Sequence, residues 1–434
     1  MPKTGGAESV RQAGVNSVSS AAVRQPAPAA ELPALLVAEV DGNAVTVATK
    51  DLALMTALAE RMAAIISTAT GAPGFTPVQQ PEGGSYPRIL ELEQGLPVVP
   101  FECYTEDGGW RCAECSSDHG GAESKHGAQH VSIGRHLDAV GALPIAAATC
   151  GGACACGYSQ LSVAGVKKCT GSEEPLCLVE FCAGKALLAK QICAMAEGRL
   201  RQPVDVVLID RTEVRHDAFT LTAEDLDLAL DATDTEASVV RSHTRLTVDI
   251  ADLCLERMPQ FQKAGRSLAI GKHLCGVATD LTLRCYVNAV ASAAALDGGG
   301  GGDRAGRPSA GSLALALCCH HLCEWDGYAN TQLLMSHGIG PGEFQLMKRL
   351  ATKYRAHPCR QRSSGKDVKL ADTIGAQLAA ARASCGIIAK RCLNEGRASW
   401  LRGQAGWGNG SVRLVRYVAE SDSPENFLLL GVHG

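Results

Sequence analysis

The sequence predicts an α/β fold built on a doubly wound, mostly parallel sheet that a C-terminal antiparallel hairpin closes. From Cys177 onward, short apolar runs alternate with helix-length segments, the pattern of parallel strands joined by crossover helices. The runs are apolar without interruption, as suits strands covered on both faces. The last two are separated only by the turn-forming ESDSPE, so they pair with each other.

In chain order the predicted parallel strands are CLVEF (Cys177 to Phe181), VDVVLID (Val204 to Asp210), RLTVDI (Arg245 to Ile250), SLAIGKH (Ser267 to His273) and SLALALCC (Ser312 to Cys319). SVRLVRYVA (Ser411 to Ala419) and NFLLLGVH (Asn426 to His433) form the hairpin. Upstream, Lys125 to Leu143 places apolar residues at helical spacing and stops near Gly141 and Pro144, which predicts a lead-in helix. Residues 297–311, DGGGGGDRAGRPSAG, are too rich in Gly to pack and read as a surface insertion. Residues 1–100 are poorly defined: low complexity to about Ala30, mixed strand-like and helix-like character from Leu32 to Ile66, then a Gly/Pro-punctuated linker from Gly71 to Pro100. Residues 101–171 hold a Cys/His-containing loop and the lead-in helix, and residues 172–434 the working domain. Five parallel strands alternating with helices and closed by a terminal hairpin is the arrangement of class I, Rossmann-like methyltransferases; architecture alone does not establish chemistry.

Composition narrows the class. A chain of 434 residues can bury a sizeable core, and 46% hydrophobic with 20% charged residues excludes a fibrous or wholly disordered protein. No apolar run approaches the roughly 18 residues of a membrane span, so no membrane partner is expected. The 19 cysteines are odd in number and spread along the chain, which points to reduced thiols in the cytoplasm or nucleus. The Ala/Ser-rich start has scattered Arg like an organelle transit peptide, but Glu8 speaks against that, and it reads as a plain tail. The net charge of -4 conceals an asymmetry: Gln345 to Val418 carries 15 Lys and Arg against only Asp367, Asp372 and Glu395, a local +12. Such a stretch is the footprint expected for phosphate backbones. No obligate protein partner is evident.

Two groups of residues carry chemistry. The first strand delivers Glu180 into a turn with Ala183 and Gly184, small enough for close approach of a ligand, and the next two strands lead to Asp210 and Asp249. A carboxylate after the second strand can accept the ribose hydroxyls of a nucleoside cofactor, and one after the third can reach its adenine; Asp252 and Arg211 are possible helpers. The second group follows strands four and five, in GKHLCG (Gly271 to Gly276) and CCHH (Cys318 to His321). Methyl transfer to a hydroxyl needs a group that removes its proton, for which Lys272 and His273 are the first candidates and His320 and His321 the second. Cys275, Cys318, Cys319, His320 and His321 are alternatively soft metal ligands, or buried residues joining two strand ends, and Cys275 also has the chemistry of a nucleophile towards a pyrimidine.

LVEFCAGKALL, RLTVDIADLCLERMP, AIGKHLCGVATDLTLRC and LALALCCHHLCEWDGY resemble, in order, signature segments of the eukaryotic tRNA:m(4)X modification enzymes. KHGAQHVSIGRHL upstream and EFQLMKRLATKY and AKRCLNEGRASWL downstream resemble further segments, so the likeness spans roughly Lys125 to Gly434. It implies S-adenosylmethionine as methyl donor and, as acceptor, the ribose 2'-hydroxyl of nucleotide 4 in the tRNA acceptor stem. Glu180, Gly184, Asp249, Lys272, His273, Cys275, Gly276, Asp280, Cys318, Cys319 and His320 match the family pattern. Two departures stand out: Cys182 and Ala186 replace glycines of the usual cofactor turn, and the first 100 residues contain no Cys or His where family members carry zinc fingers. Cys103, Cys112, Cys115 and His119 offer only a degenerate zinc-binding set. The alternatives are a methyltransferase of the same fold acting on another RNA or a protein, or a zinc-dependent RNA-binding protein without activity.

Overall fold

The apolar runs assemble into one sheet in the computed structural model of the chain, which describes residues 44–71, 85–94, 96, 126–143, 175–196, 202–215, 219, 239–297, 310–353, 370–418 and 423–433. The strands are β1 (Leu176–Phe181), β2 (Val204–Asp210), β3 (Val240–Thr247), β4 (Arg266–Gly271), β5 (Ala310–Leu317), β6 (Val412–Arg416) and β7 (Phe427–Val432), in sheet order β3-β2-β1-β4-β5-β7-β6. β1 to β5 run parallel, and β7 pairs antiparallel with both β5 and β6. The chain winds outward from β1 in one direction and from β4 in the other. In open sheets of this kind, ligands bind beyond the carboxyl ends of the strands at that reversal.

The helices are α1 (Ala44–Thr70), α2 (Ser85–Gln94), α3 (Gly127–Ala139), α4 (Leu187–Ala196), α5 (Pro259–Gln262), α6 (Val277–Asp297), α7 (Thr331–Ser336), α8 (Pro341–Lys353) and α9 (Leu370–Arg402). Alternate residues of each strand serve opposite faces. Leu176 and Leu178 pack with Ile133 and Leu137 of α3 and with Leu188 and Ile192 of α4, whereas Cys177, Val179 and Phe181 join Leu283, Tyr286 and Val290 of α6. Burying each large apolar side chain of this kind contributes roughly 1.5–3 kcal/mol. Among the described residues no helix is long and apolar enough to cross a membrane.

Four differences from the sequence-based expectations have physical causes. The third strand begins at Val240 and ends at Thr247, so Asp249 lies beyond it; as an edge strand, VRSHTRLT is only partly covered, and its polar residues hid its start. The mixed stretch before Ile66 is largely the 27-residue helix α1, whose Met55, Leu58, Met62 and Ile66 are buried where it packs on α9. The segment read as linker contains α2, anchored by Ile89 and Leu92. Finally, part of the basic stretch is internal: Arg397 pairs with Asp280 at 2.7 Å with both side chains fully buried, Arg391 with Glu395 at 2.6 Å, and Lys390 with Glu425 at 3.3 Å. Residues 1–30, the Cys103, Cys112, Cys115 and His119 set, and residues 298–309 of the Gly-rich insertion lie outside the described residues.

Candidate active site

The backbone departs from its preferred conformations at the carboxyl end of the sheet. Among the described residues, the non-glycine positions with positive φ are Cys182 (51°), Ala186 (58°), His273 (65°) and Cys319 (47°), all within five residues of the ends of β1, β4 and β5. Such conformations cost about 1–3 kcal/mol each and persist where the surroundings over-determine them. Gly276 (φ 60°) shows how tightly: a Cβ there would lie 2.2 Å from the backbone of Leu322, so the loops after β4 and β5 fit together only with glycine. Gly184 (φ 49°) is the opposite case, because a Cβ there would meet nothing within 4 Å. The turn after β1 opens onto free space.

One carboxylate borders that opening. Asp210, at the end of β2, accepts hydrogen bonds from the Gly184 amide at 2.9 Å and from the amide and hydroxyl of Thr212 at 3.0 and 2.8 Å. Burial alone would raise its pKa, but the hydrogen bonds from Thr212 and Gly184 hold it below the ordinary carboxylate value. Three of its roughly four acceptor sites are therefore occupied, leaving room for one more donor. Asp249 is exposed and starts the 3-10 turn Ile250–Asp252, with Oδ1 accepting from Ala251 at 3.0 Å. Glu180 points the other way, into the interior under α4, where Oε2 accepts from the Ala189 amide at 3.0 Å. Burial pushes its pKa up to about 8, against that hydrogen bond and the charges of Arg245 and Lys272. Ala183 is buried beneath the turn and donates its amide to Ile209 O.

Beyond β4 stands a cluster of nitrogen bases. The buried Lys272 Nζ is 3.0 Å from His126 Nδ1 and 3.2 Å from His130 Nε2, both from the start of α3. His273, thrown outward by its left-handed backbone, meets the edge of the His126 ring at 5.5 Å between centroids. Burial lowers the Lys272 pKa to about 8, with Cys318 and Glu180 opposing the shift. Burial, followed by the Lys272 charge, drops His130 to about 3, so this ring stays neutral and can accept from the ammonium. Neither His126 nor His130 was picked out as a site residue from sequence; the available signal was their i, i+4 spacing, which sets both on one helical face.

The remaining candidates separate. His320 is turned inward, with Nε2 2.7 Å from Asn394 Oδ1 and Nδ1 3.7 Å from Glu425, and burial with the nearby Arg397 charge lowers it to about 3. His321 is exposed beside it on the 3-10 turn His320–Leu322. The Sγ atoms of Cys275, Cys318 and Cys319 all lie within 4.8 Å of one another. Hydrogen bonding with Cys318 pulls the Cys275 thiol down to about 6 against the effect of burial. Arg397 of α9 locks this region from behind, binding Asp280 at 2.7 and 3.1 Å, the Cys323 sulfur at 3.0 Å and Gly276 O at 3.4 Å.

A mostly parallel α/β sheet with an open glycine turn, acceptor carboxylates and a buried lysine at its carboxyl end has the parts of a group-transfer enzyme, and comparison with known families gives the class. The chain belongs to the TRM13 methyltransferase family, whose model, Methyltransferase TRM13, matches residues 159–432. Its relatives include the tRNA:m(4)X modification enzyme TRM13 of Vanderwaltozyma polyspora, 30% identical over 265 residues, 58% of this chain and 55% of that protein. The enzyme of Saccharomyces cerevisiae is 26% identical over 297 residues, 59% and 58% of the two chains, and the homolog of Homo sapiens 29% over 209 residues, 41% and 38%. The chain spans about half the length of the curated relatives it matches. No solved structure matches it.

Proposed function

We propose that this chain is an S-adenosylmethionine-dependent tRNA methyltransferase with a class I, Rossmann-like catalytic domain, which methylates the ribose 2'-hydroxyl of nucleotide 4 in the acceptor stem. The family and the names of its relatives support the reaction class and tRNA as substrate. The sheet order and the antiparallel β7 support the fold assignment. The observation that carries the chemistry is Lys272, buried, lowered to about 8 and braced by two histidines at the carboxyl end of the sheet that also holds the Gly184 turn.

The cofactor side fits its ligand. Open space in front of Gly184 leaves room for a ligand against the backbone, Asp210 retains an acceptor site that a ribose hydroxyl would use, and the exposed Asp249 would accept from the adenine amino group. Held there, S-adenosylmethionine would supply an electrophilic methyl group whose S–C bond breaks on transfer, the cofactor leaving as the neutral thioether S-adenosylhomocysteine. Lys272 in its neutral form accepts the proton that the 2'-hydroxyl loses as its oxygen forms the new O–C bond. The resulting ammonium is stabilised by His126 and His130 as hydrogen-bond acceptors. General-base catalysis of this kind is worth about 10²–10⁴-fold. The acceptor stem is A-form and offers phosphates and 2'-hydroxyls rather than readable base edges. Exposed Arg349 on α8 belongs to the part of the basic stretch not consumed by buried ion pairs.

Transfer of labelled methyl from S-adenosylmethionine to unmodified tRNA, followed by nuclease digestion, tests this reading. A 2'-O-methyl nucleotide at acceptor-stem position 4 is expected. Label on a base would replace Lys272 by Cys275 as the reacting group, and cofactor binding without tRNA methylation would move the substrate to another RNA or a protein.

A further inference from the structure

We propose that Cys275, Cys318 and Cys319 bind one zinc-class cation between the loops that follow β4 and β5. A tetrahedral zinc with bonds of about 2.3 Å to sulfur needs sulfurs about 3.8 Å apart. The three Sγ atoms lie near that value: Cys275 and Cys319 are 3.2 Å apart, and none of the three is more than 4.8 Å from another. All three are free thiols, Cys318 buried and the other two half-buried, so the cluster is open on one side. Three thiolates leave the fourth tetrahedral position open on the exposed side of the cluster. His320 is engaged inward with Asn394 and does not contribute.

The thiols are held in place before any ion arrives. Cys319 sits in a left-handed conformation, Gly276 is wedged against Leu322, and Arg397 ties Gly276 O to Asp280 and Cys323. Soft thiolates select zinc over magnesium or calcium. Binding releases the thiol protons to solvent and fixes the Lys272 loop to the loop after β5.

The test uses the full chain with Co²⁺ and Zn²⁺ as probes. One equivalent of Co²⁺ with thiolate-to-cobalt charge-transfer absorption is expected, lost in the Cys275→Ser/Cys319→Ser variant and retained in Cys103→Ser/Cys112→Ser, which removes the other candidate ligand set. In the unmutated chain, Zn²⁺ should slow alkylation of Cys275 and Cys319, followed by peptide mass spectrometry, at least about 10-fold. That readout requires no variant to fold. Absorption that survives the first variant, or alkylation that Zn²⁺ leaves unchanged, would overturn the site.

Discussion

The two halves of the sheet's carboxyl end are built from different chemistry. After β1, β2 and β3 the polar groups are carboxylates and backbone amides around an open turn, whereas after β4 and β5 they are a lysine, histidines and thiols packed against two helices. On the proposed function, the first half holds the cofactor through its hydroxyls, and the second takes the proton on a rigid backbone. Binding and transfer should therefore be separable by mutation, and the expected effects can be ordered by size.

The largest effect is on the second half. Lys272→Ala should lower the transfer rate about 10²–10⁴-fold while cofactor affinity, measured by calorimetry, stays within about threefold. A parallel loss of affinity would merge the two halves. Next comes the clamp behind them: Arg397→Ala leaves Asp280 buried and unpaired, and should cost about 3–5 kcal/mol in urea unfolding. Unfolding unchanged to within about 1 kcal/mol would show that the loops do not depend on it. Asp249→Ala removes a carboxylate acceptor from the first half, so cofactor affinity should fall about 10- to 100-fold and transfer should recover at saturating cofactor.

Smaller effects probe α3 and α8. His130 and His136 are lowered by burial from 6.5 to about 3 and about 4. With both folded values depressed, their contribution to stability is complete above pH 6.5 and is lost as the pH falls towards 4 and 3. The loss is up to about 1.4 kcal/mol per histidine per pH unit. His130→Gln should flatten that slope in unfolding measurements between pH 6.5 and 4.5, and an unaltered slope would mean that the ring is solvated. The smallest expected change is in tRNA binding, where neutralising Lys348 and Arg349 should reduce the salt slope by about 1–2. An unchanged slope would put the RNA surface elsewhere.

The same contrast explains what could be read from the sequence. β2 spans the very residues of its apolar run, and β1, β4, β5, β6 and β7 begin and end within two or three residues of theirs, because strands covered on both faces write their burial directly into composition. Asp210 and Gly184 were legible because strand ends in this fold face one crevice. Glu180 was legible as a strand end, yet its inward direction under α4 was not, because alternation within a strand does not say which face is which. The His126 and His130 contribution was hidden by sequence distance: they reach Lys272 from 146 and 142 positions away. Counting charges could not distinguish the buried Arg397 and Arg391 from an RNA-facing surface, since pairing with Asp280 and Glu395 is a property of packing.

In the proposed reaction, Lys272 takes the proton of the acceptor hydroxyl. Among the described residues, His126 just before α3, His130 of α3, Glu180 of β1 and Cys318 just after β5 are the titratable groups that contact or influence it. Single-turnover methyl transfer at saturating cofactor, followed against pH, tests this most directly. With Lys272 lowered to about 8, the neutral base accumulates as pH rises, so the rate should climb and level off above about pH 8, and the residual rate of Lys272→Ala should lack that rise. The same rise in both proteins would contradict the assignment.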